Sequence, residues 1–247
     1  MSTAPSAPLS DAPAEISPIA RVFGALFNPV PTFESIARRP DWILPLALLV
    51  LLGTAVGAEL AQRVDWEQVI NRQMDASSQA QQLSAEQRAQ RVEVGTKVAR
   101  GICCAAGILG SPILLLIFSG IYLGAFNVLA NAGLRFEQSV GIVAHALMPS
   151  LISSVLAVIV LMVKDPGTID PNHPLATDLY AFLPADAPKW LQALGSSLEL
   201  FFIWILVLVA IGFAAANPRK VKRGTAFALV FGLWGVWVLG KVIWALL

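Results

Sequence analysis

The sequence predicts an all-α, polytopic membrane protein with five transmembrane helices, an N-terminal interfacial helix and an extracytoplasmic helical hairpin between spans 1 and 2. Three observations carry this reading. Of 247 residues, 56% are hydrophobic and 13% are charged, with a mean hydropathy of +0.69, whereas an ordinary soluble domain is about 25% charged. Five stretches (42–60, 102–130, 139–163, 190–216 and 225–247) hold no Asp, Glu, Lys or Arg except Glu59, Glu199 and Lys241 toward their ends. Each is long enough to cross a hydrocarbon core of ~30 Å at about 1.5 Å per residue. Finally, basic residues gather in alternate connections, as they do in multi-pass proteins. This composition excludes a soluble enzyme and leaves no room for a large extramembrane domain.

Residues 1–18 are mainly Ser, Ala and Pro without an apolar run, which predicts a disordered tail. They lack the charged start and apolar core of a signal peptide, so the first span reads as an uncleaved signal-anchor. No Gly follows Met1, which argues against N-myristoylation. Ser17 and Pro18 mark a helix start, a capping hydroxyl followed by Pro at the first helical position. Segment 19–41 reads as amphipathic and interfacial: Ile19, Val22, Phe23, Leu26 and Phe27 share helical spacing before Pro29 and Pro31, and Phe33 and Ile36 precede Arg38 and Arg39. Such a stripe suits either a helix in the headgroup layer or one packed on the protein's own cytoplasmic face.

The remainder, 42–247, is the membrane domain. Span 102–130 would be ~43 Å long as an ideal helix and must tilt or run into the interface. Pro112 and Pro149 lie inside the second and third spans and predict kinks. Loop 63–100 is polar but helix-permissive, and Ser84 with Gln87 forms a capping-box signature for a helix running from Ala85 into the second span. Gly53 with Gly57, and Gly120 with Gly124, make small faces suited to close helix approach or self-association, and Gly212 with Ala216 is similar. Trp42, Trp190 and Trp244 suit the interfaces, while Trp234 and Trp237 read as interior packing.

Orientation follows from the short loops. Stretch 217–224 holds Arg219, Lys220, Lys222 and Arg223 with no acid, 131–138 holds Arg135, and Arg38 and Arg39 precede the first span. With five spans all three fall on one side, whereas loop 164–189 carries four Asp against Lys164 and Lys189 and lies opposite. The positive-inside rule then predicts a bacterial inner-membrane protein with a cytoplasmic N-terminus and an extracytoplasmic C-terminus. Loop 63–100, with six Lys and Arg, opposes this, but its five acids and local folding weaken its vote.

The chain offers little for catalysis. Its histidines are His145 and His173, and its adjacent cysteines, Cys103 and Cys104, read as small apolar residues. No metal-binding, nucleophile-elbow or phosphate-loop motif is present. A net charge of +1 gives no electrostatic footprint for nucleic acid. Intramembrane polar residues are the remaining functional suspects. Asn127 and Asn131, four apart on one helix, together with His145 and Ser150 near Pro149, make a candidate polar site between spans 2 and 3. The alternative is hydrogen bonding between helices or to their own backbone. The cluster Arg219, Lys220, Lys222 and Arg223 is a candidate contact for anionic lipid.

The stretch Leu26-Phe-Asn-Pro-Val-Pro-Thr-Phe-Glu-Ser-Ile-Ala, then Pro40 and Trp42 to Pro45, resembles the opening of bacterial members of the Yip-domain family (Ypt/Rab-interacting membrane proteins). So do Leu83-Ser-Ala-Glu-Gln-Arg and the run from Tyr122, Phe126 and Ala130 to Gly141 and His145-Ala-Leu-Met-Pro149. Eukaryotic members of that family bind prenylated Rab GTPases and shape or sort early secretory vesicles. The resemblance implies five spans, a cytoplasmic N-terminus, no shared active site and no cofactor; His145 stands where the family has an aromatic. The reading that results is a non-enzymatic, membrane-organising or adaptor protein whose partners are lipids and other membrane proteins. The alternative is a small channel or transporter using the polar site between spans 2 and 3.

Overall fold

The computed structural model describes residues 16–77, 82–184 and 186–246, and within them the chain forms ten α-helices and no extended strand. The expected tail, 1–18, lies outside the described residues up to position 15. Ser17 caps α1 (Pro18–Phe27) by accepting the Ala20 N–H at 3.3 Å, with Pro18 at the first helical position. The chain turns at Asn28 into α2 (Pro29–Arg38).

The expected single apolar face of α1 divides in the structure. Val22 and Ala25 face the protein together with Arg21, while Ile19, Phe23 and Phe27, four residues apart, point outward. α2 enters the core, and Phe33 and Ile36 have no exposed surface. Two glycines make this possible. A Cβ on Gly212 would lie 3.0 Å from the Phe33 ring and 2.5 Å from Ile142, and one on Gly141 would lie 3.2 Å from Ile36. Segment 19–41 is therefore packed on one end of the bundle, with the outer edge of α1 left apolar.

α3 (Ile43–Arg63) and α5 (Ala85–Leu129) meet at backbone distance. A Cβ on Gly53 would lie 2.9 Å from the Gly107 carbonyl oxygen, and one on Gly107 would lie 2.7 Å from that of Gly53; Gly57 abuts the Cys103 carbonyl. The Gly53/Gly57 face is thus occupied by α5 of the same chain, whereas Gly120 and Gly124 face open space. α5 runs 45 residues, ~67 Å at helical rise, and passes Pro112 without a break. Its first turn carries the predicted capping box: Ser84 Oγ accepts the Gln87 N–H at 3.2 Å, and the Gln87 side chain accepts the Ser84 N–H at 3.0 Å. α4 (Trp66–Asp75), capped by Asp65, folds back on this extension, with Ile70 lying over Gly95.

The third span divides into α6 (Phe136–Ala146) and α7 (Pro149–Val163), because Pro149 has no N–H to continue the ladder. The expected span 190–216 is broken more completely, into α8 (Lys189–Gly195) and α9 (Leu200–Ala216). Ser197 Oγ donates to the Ala193 carbonyl at 2.7 Å, and the Glu199 carboxylate accepts the N–H groups of Phe201 and Phe202 at 3.0 and 2.6 Å. Two satisfied helix ends stand where the sequence predicts continuous helix. α9 is apolar all round and is the central element, as such a pattern requires; Phe213 stacks on Phe126 with ring centroids 4.3 Å apart. α10 (Arg223–Leu246) buries Ala226, Val230 and Val238 and leaves much of its surface outside. Trp237, expected inside, is exposed there, with the Lys241 ammonium 4.7 Å from its ring centroid.

Among the described residues, four units (α3, α5, α6 with α7, and α10) are long and apolar enough to cross a membrane, and α9 is shorter at 17 residues. The architecture is an all-helical, multi-pass membrane bundle with two distinct ends. The basic end gathers α1, α2, the 130–135 connection and the 217–222 loop. It is tied by Asn217 Nδ2 donating to the Ala132 carbonyl and Gln138 Nε2 donating to that of Ala37, both at 2.8 Å. The hairpin end gathers α4, the start of α5 and the 164–188 loop. There Trp66 packs with Leu161 and Ile169, and Arg72 donates to the Gly167 carbonyl at 3.4 Å. Segments 16–41, 130–138 and 217–223 carry eight Lys and Arg against three Asp and Glu, while in 59–100 and 164–199 together with Lys241 nine face eleven.

Candidate functional site

The four intramembrane polar candidates separate in the structure. α5 stops at Leu129, so Asn131 is not on the helix face of Asn127; it is exposed, with φ 47°, in a turn that also uses Gly133 at φ 65°. Asn127 closes this turn with both ends of its amide. Its Nδ2 donates to the Leu134 carbonyl at 3.0 Å, and its Oδ1 accepts the Leu134 N–H at 2.9 Å. Asn217 holds the same turn from the other side. These asparagines build the basic end.

His145 is wholly buried in the last turn of α6. Its Nδ1 lies 2.9 Å from the Gly141 carbonyl, which only accepts, so Nδ1 carries the proton; Nε2 has no partner among the described residues. Ser150 Oγ donates to the Leu147 carbonyl at 2.5 Å in the break between α6 and α7. It also lines a cavity of about 270 Å³ bounded by α3, α5, α6, α7 and α9, with walls mostly of Leu, Phe and Val and with Ser111, Tyr122 and Ser154 as further hydroxyl groups. Neither Asn127 nor His145 reaches that cavity. The structure brings Ser150 to a void and leaves the other three elsewhere.

One cluster has no counterpart in the sequence reading. Arg21, 7% exposed, donates from Nη1 to the Arg39 carbonyl at 3.0 Å and from Nη2 to Ser35 Oγ at 3.1 Å, and Asp41 Oδ2 lies 3.8 Å from Nη1. A cation in the first turn of an apolar helix, with an acid just ahead of the first span, was the available signal. Arg21 locks α1, α2 and the entry to α3 together by bonds to a charged donor, the stronger kind of hydrogen bond.

Arg219, Lys220, Lys222 and Arg223 are all exposed around the fully buried Val221. Lys222 and Arg223 share a surface pocket with Val30 and Glu34 of α2. The outward row Ile19, Phe23 and Phe27 belongs to the same end, so that end presents hydrocarbon and positive charge together. Among the described residues no group of three or more His, Cys, Asp or Glu side chains is arranged to hold a metal ion.

Comparison with known proteins agrees with this architecture. The chain is 28% identical over 214 residues to the membrane protein YknW of Bacillus subtilis (strain 168), covering 86% of this chain and 85% of that one. No solved structure matches. The model of the Yip1 domain matches residues 23–245, from the middle of α1 to the end of α10, and the chain therefore belongs to the Yip1-domain family of multi-pass membrane proteins.

Proposed function

We propose that this is a non-enzymatic, membrane-organising or adaptor protein of a bacterial inner membrane, working through its basic end on the cytoplasmic side. In this reading α8 and α9 complete a fifth span, the N-terminus is cytoplasmic and the C-terminus extracytoplasmic. The observation that carries it is the pairing of the outward row Ile19, Phe23 and Phe27 with the exposed cluster Arg219, Lys220, Lys222 and Arg223 on one rigid end. The apolar row suits the acyl boundary of the leaflet. The cluster attracts anionic lipid at about 1 kcal/mol per basic residue near the surface. Locking α1 and α2 to the bundle through Arg21 and Phe33 transmits whatever the leaflet or a membrane partner does to α6 and α9. The open Gly120/Gly124 face is the remaining place for another helix, in a partner or a second copy.

A second reading, a small channel or transporter, rests on the cavity beside Ser150. Against it, Asn127 is fully engaged by Leu134. Reconstitution separates the two. Proteoliposomes containing the protein should show no flux of ions or small solutes, and anionic lipid should be enriched around it. Replacing Arg219, Lys220, Lys222 and Arg223 with Gln should abolish the enrichment and leave the fold intact. Solute flux lost on Ser150→Ala would sink the adaptor reading.

A further inference from the structure

Ser154 lines two cavities. One is the apolar cavity of about 270 Å³ beside Ser150; the other, about 240 Å³, opens at the hairpin end between α3, α7 and the 172–178 loop. Ser154 lines both, and the chemistry changes across it. On the inner side the walls include Leu147, Phe202, Ile205 and Leu206. On the outer side they include Asn172, His173, Asp178 and Glu199, with no Lys or Arg.

The outer half is a built structure. Asp178, 6% exposed, accepts the Ala181 N–H at 3.2 Å through Oδ1, and its Oδ2 lies 2.5 Å from His173 Nδ1. The His173 ring stacks on Tyr180 with centroids 4.2 Å apart. Glu199 is pinned by two N–H groups of α9, and a backbone bridge pairs Asp178 with Glu199. Two carboxylates are thereby fixed at the mouth of a hydrocarbon-walled void.

We propose that the two cavities flanking Ser154 act as one site for a single lipid from the leaflet at the hairpin end, an aminophospholipid whose ammonium lies between Asp178 and Glu199 and whose chain enters past Ser154. Each half alone is incomplete. A small cation would compensate the carboxylates and leave the apolar void unfilled, which forfeits dispersion contacts along its walls. A bare hydrocarbon would fill the void and leave Glu199, held only by backbone N–H groups, without a counter-charge, and Asp178 with only the His173 ring beside it. An amphiphile with a cationic head satisfies both, and an anionic head is repelled.

The test uses the full chain with Arg219, Lys220, Lys222 and Arg223 replaced by Gln, which removes the anionic-lipid contact at the opposite end, reconstituted in nanodiscs of equal phosphatidylethanolamine and phosphatidylglycerol, then transferred to mild detergent for native mass spectrometry. The expected result is one retained phosphatidylethanolamine, favoured about tenfold over phosphatidylglycerol. Ser154→Leu fills the space between the two cavities, and Glu199→Gln removes the charge while keeping one of its two helix-capping acceptors; each should cut retention about fivefold in protein that remains folded. Lys97→Gln, at an exposed position lining neither cavity, should leave retention unchanged. Equal retention of both lipids, or retention insensitive to Glu199→Gln in folded protein, overturns the proposal; should Ser154→Leu fail to fold, Glu199→Gln decides.

Discussion

At the basic end Phe33 and Ile36 are wholly buried, Gly141 and Gly212 admit α2 at near-backbone distance, and a buried arginine ties three segments together. At the hairpin end α4 and the start of α5 meet through a small patch around Ile70 and Gly95 and through surface ion pairs such as Arg88 with Asp75 at 2.5 Å. The first arrangement makes a segment of amphipathic sequence part of the bundle's core. The second holds a long polar connection by its own caps and one small core of Trp66, Leu161 and Ile169, while its exposed ion pairs, in water, contribute little. The basic end should therefore unfold with the whole bundle, while the hairpin end opens on its own.

Breaking the basic end gives the largest effect. Phe33→Ala removes a fully buried ring against α9 and should cost about 3–5 kcal/mol, read as a large fall in the melting temperature of the purified protein. An unchanged melting temperature would mean that α2 lies on the bundle and not in it. Arg21→Met should come next, at about 1.5–3 kcal/mol for lost hydrogen bonds to a charged group. It should speed amide exchange through both α1 and α2, and exchange confined to α1 would contradict the three-way lock.

The hairpin end supplies the smaller effects. Ser84→Ala should cost about 1 kcal/mol, confined to faster exchange in the first turn of α5 at a constant global melting temperature. A global shift would show that the hairpin is coupled to the bundle after all. Smallest of all is Lys97→Met. The Lys97 ammonium, 2.7 Å away, hydrogen-bonds Glu93 and holds its carboxyl below the usual carboxylate range. A depressed folded-state pKa contributes stability above the ordinary carboxylate pKa and loses it as pH falls through the depressed value. Lys97→Met should raise the Glu93 titration midpoint to the ordinary range and leave the melting temperature alone.

Local signals were legible in the residues, and long-range ones were not. Ser17 with Pro18, Ser84 with Gln87, and the break at Pro149 each depend on neighbours within a few positions, and each lies where the sequence put it. Gly53 and Gly57 announced a close approach, but Gly107 as their counterpart depends on a fold. Asn127 and Asn131 looked like one helix face because nothing local says that α5 ends at Leu129; the end is fixed by Asn127 itself reaching Leu134. Span 190–216 looked continuous because Glu199 reads as a charge near a span end, when it serves as an N-cap. Arg21 was invisible as a site because its partners are 14 and 18 residues away.

The account rests on the two ends facing opposite sides of the membrane, the basic one inward. Arg219→Cys and Gln90→Cys, each in a chain carrying Cys103→Ala and Cys104→Ala, put single thiols on exposed positions of the two ends. A membrane-impermeant maleimide should modify the Gln90→Cys protein in intact cells and the Arg219→Cys protein only after lysis. Labelling of Arg219→Cys in intact cells would place the basic cluster outside and contradict the account.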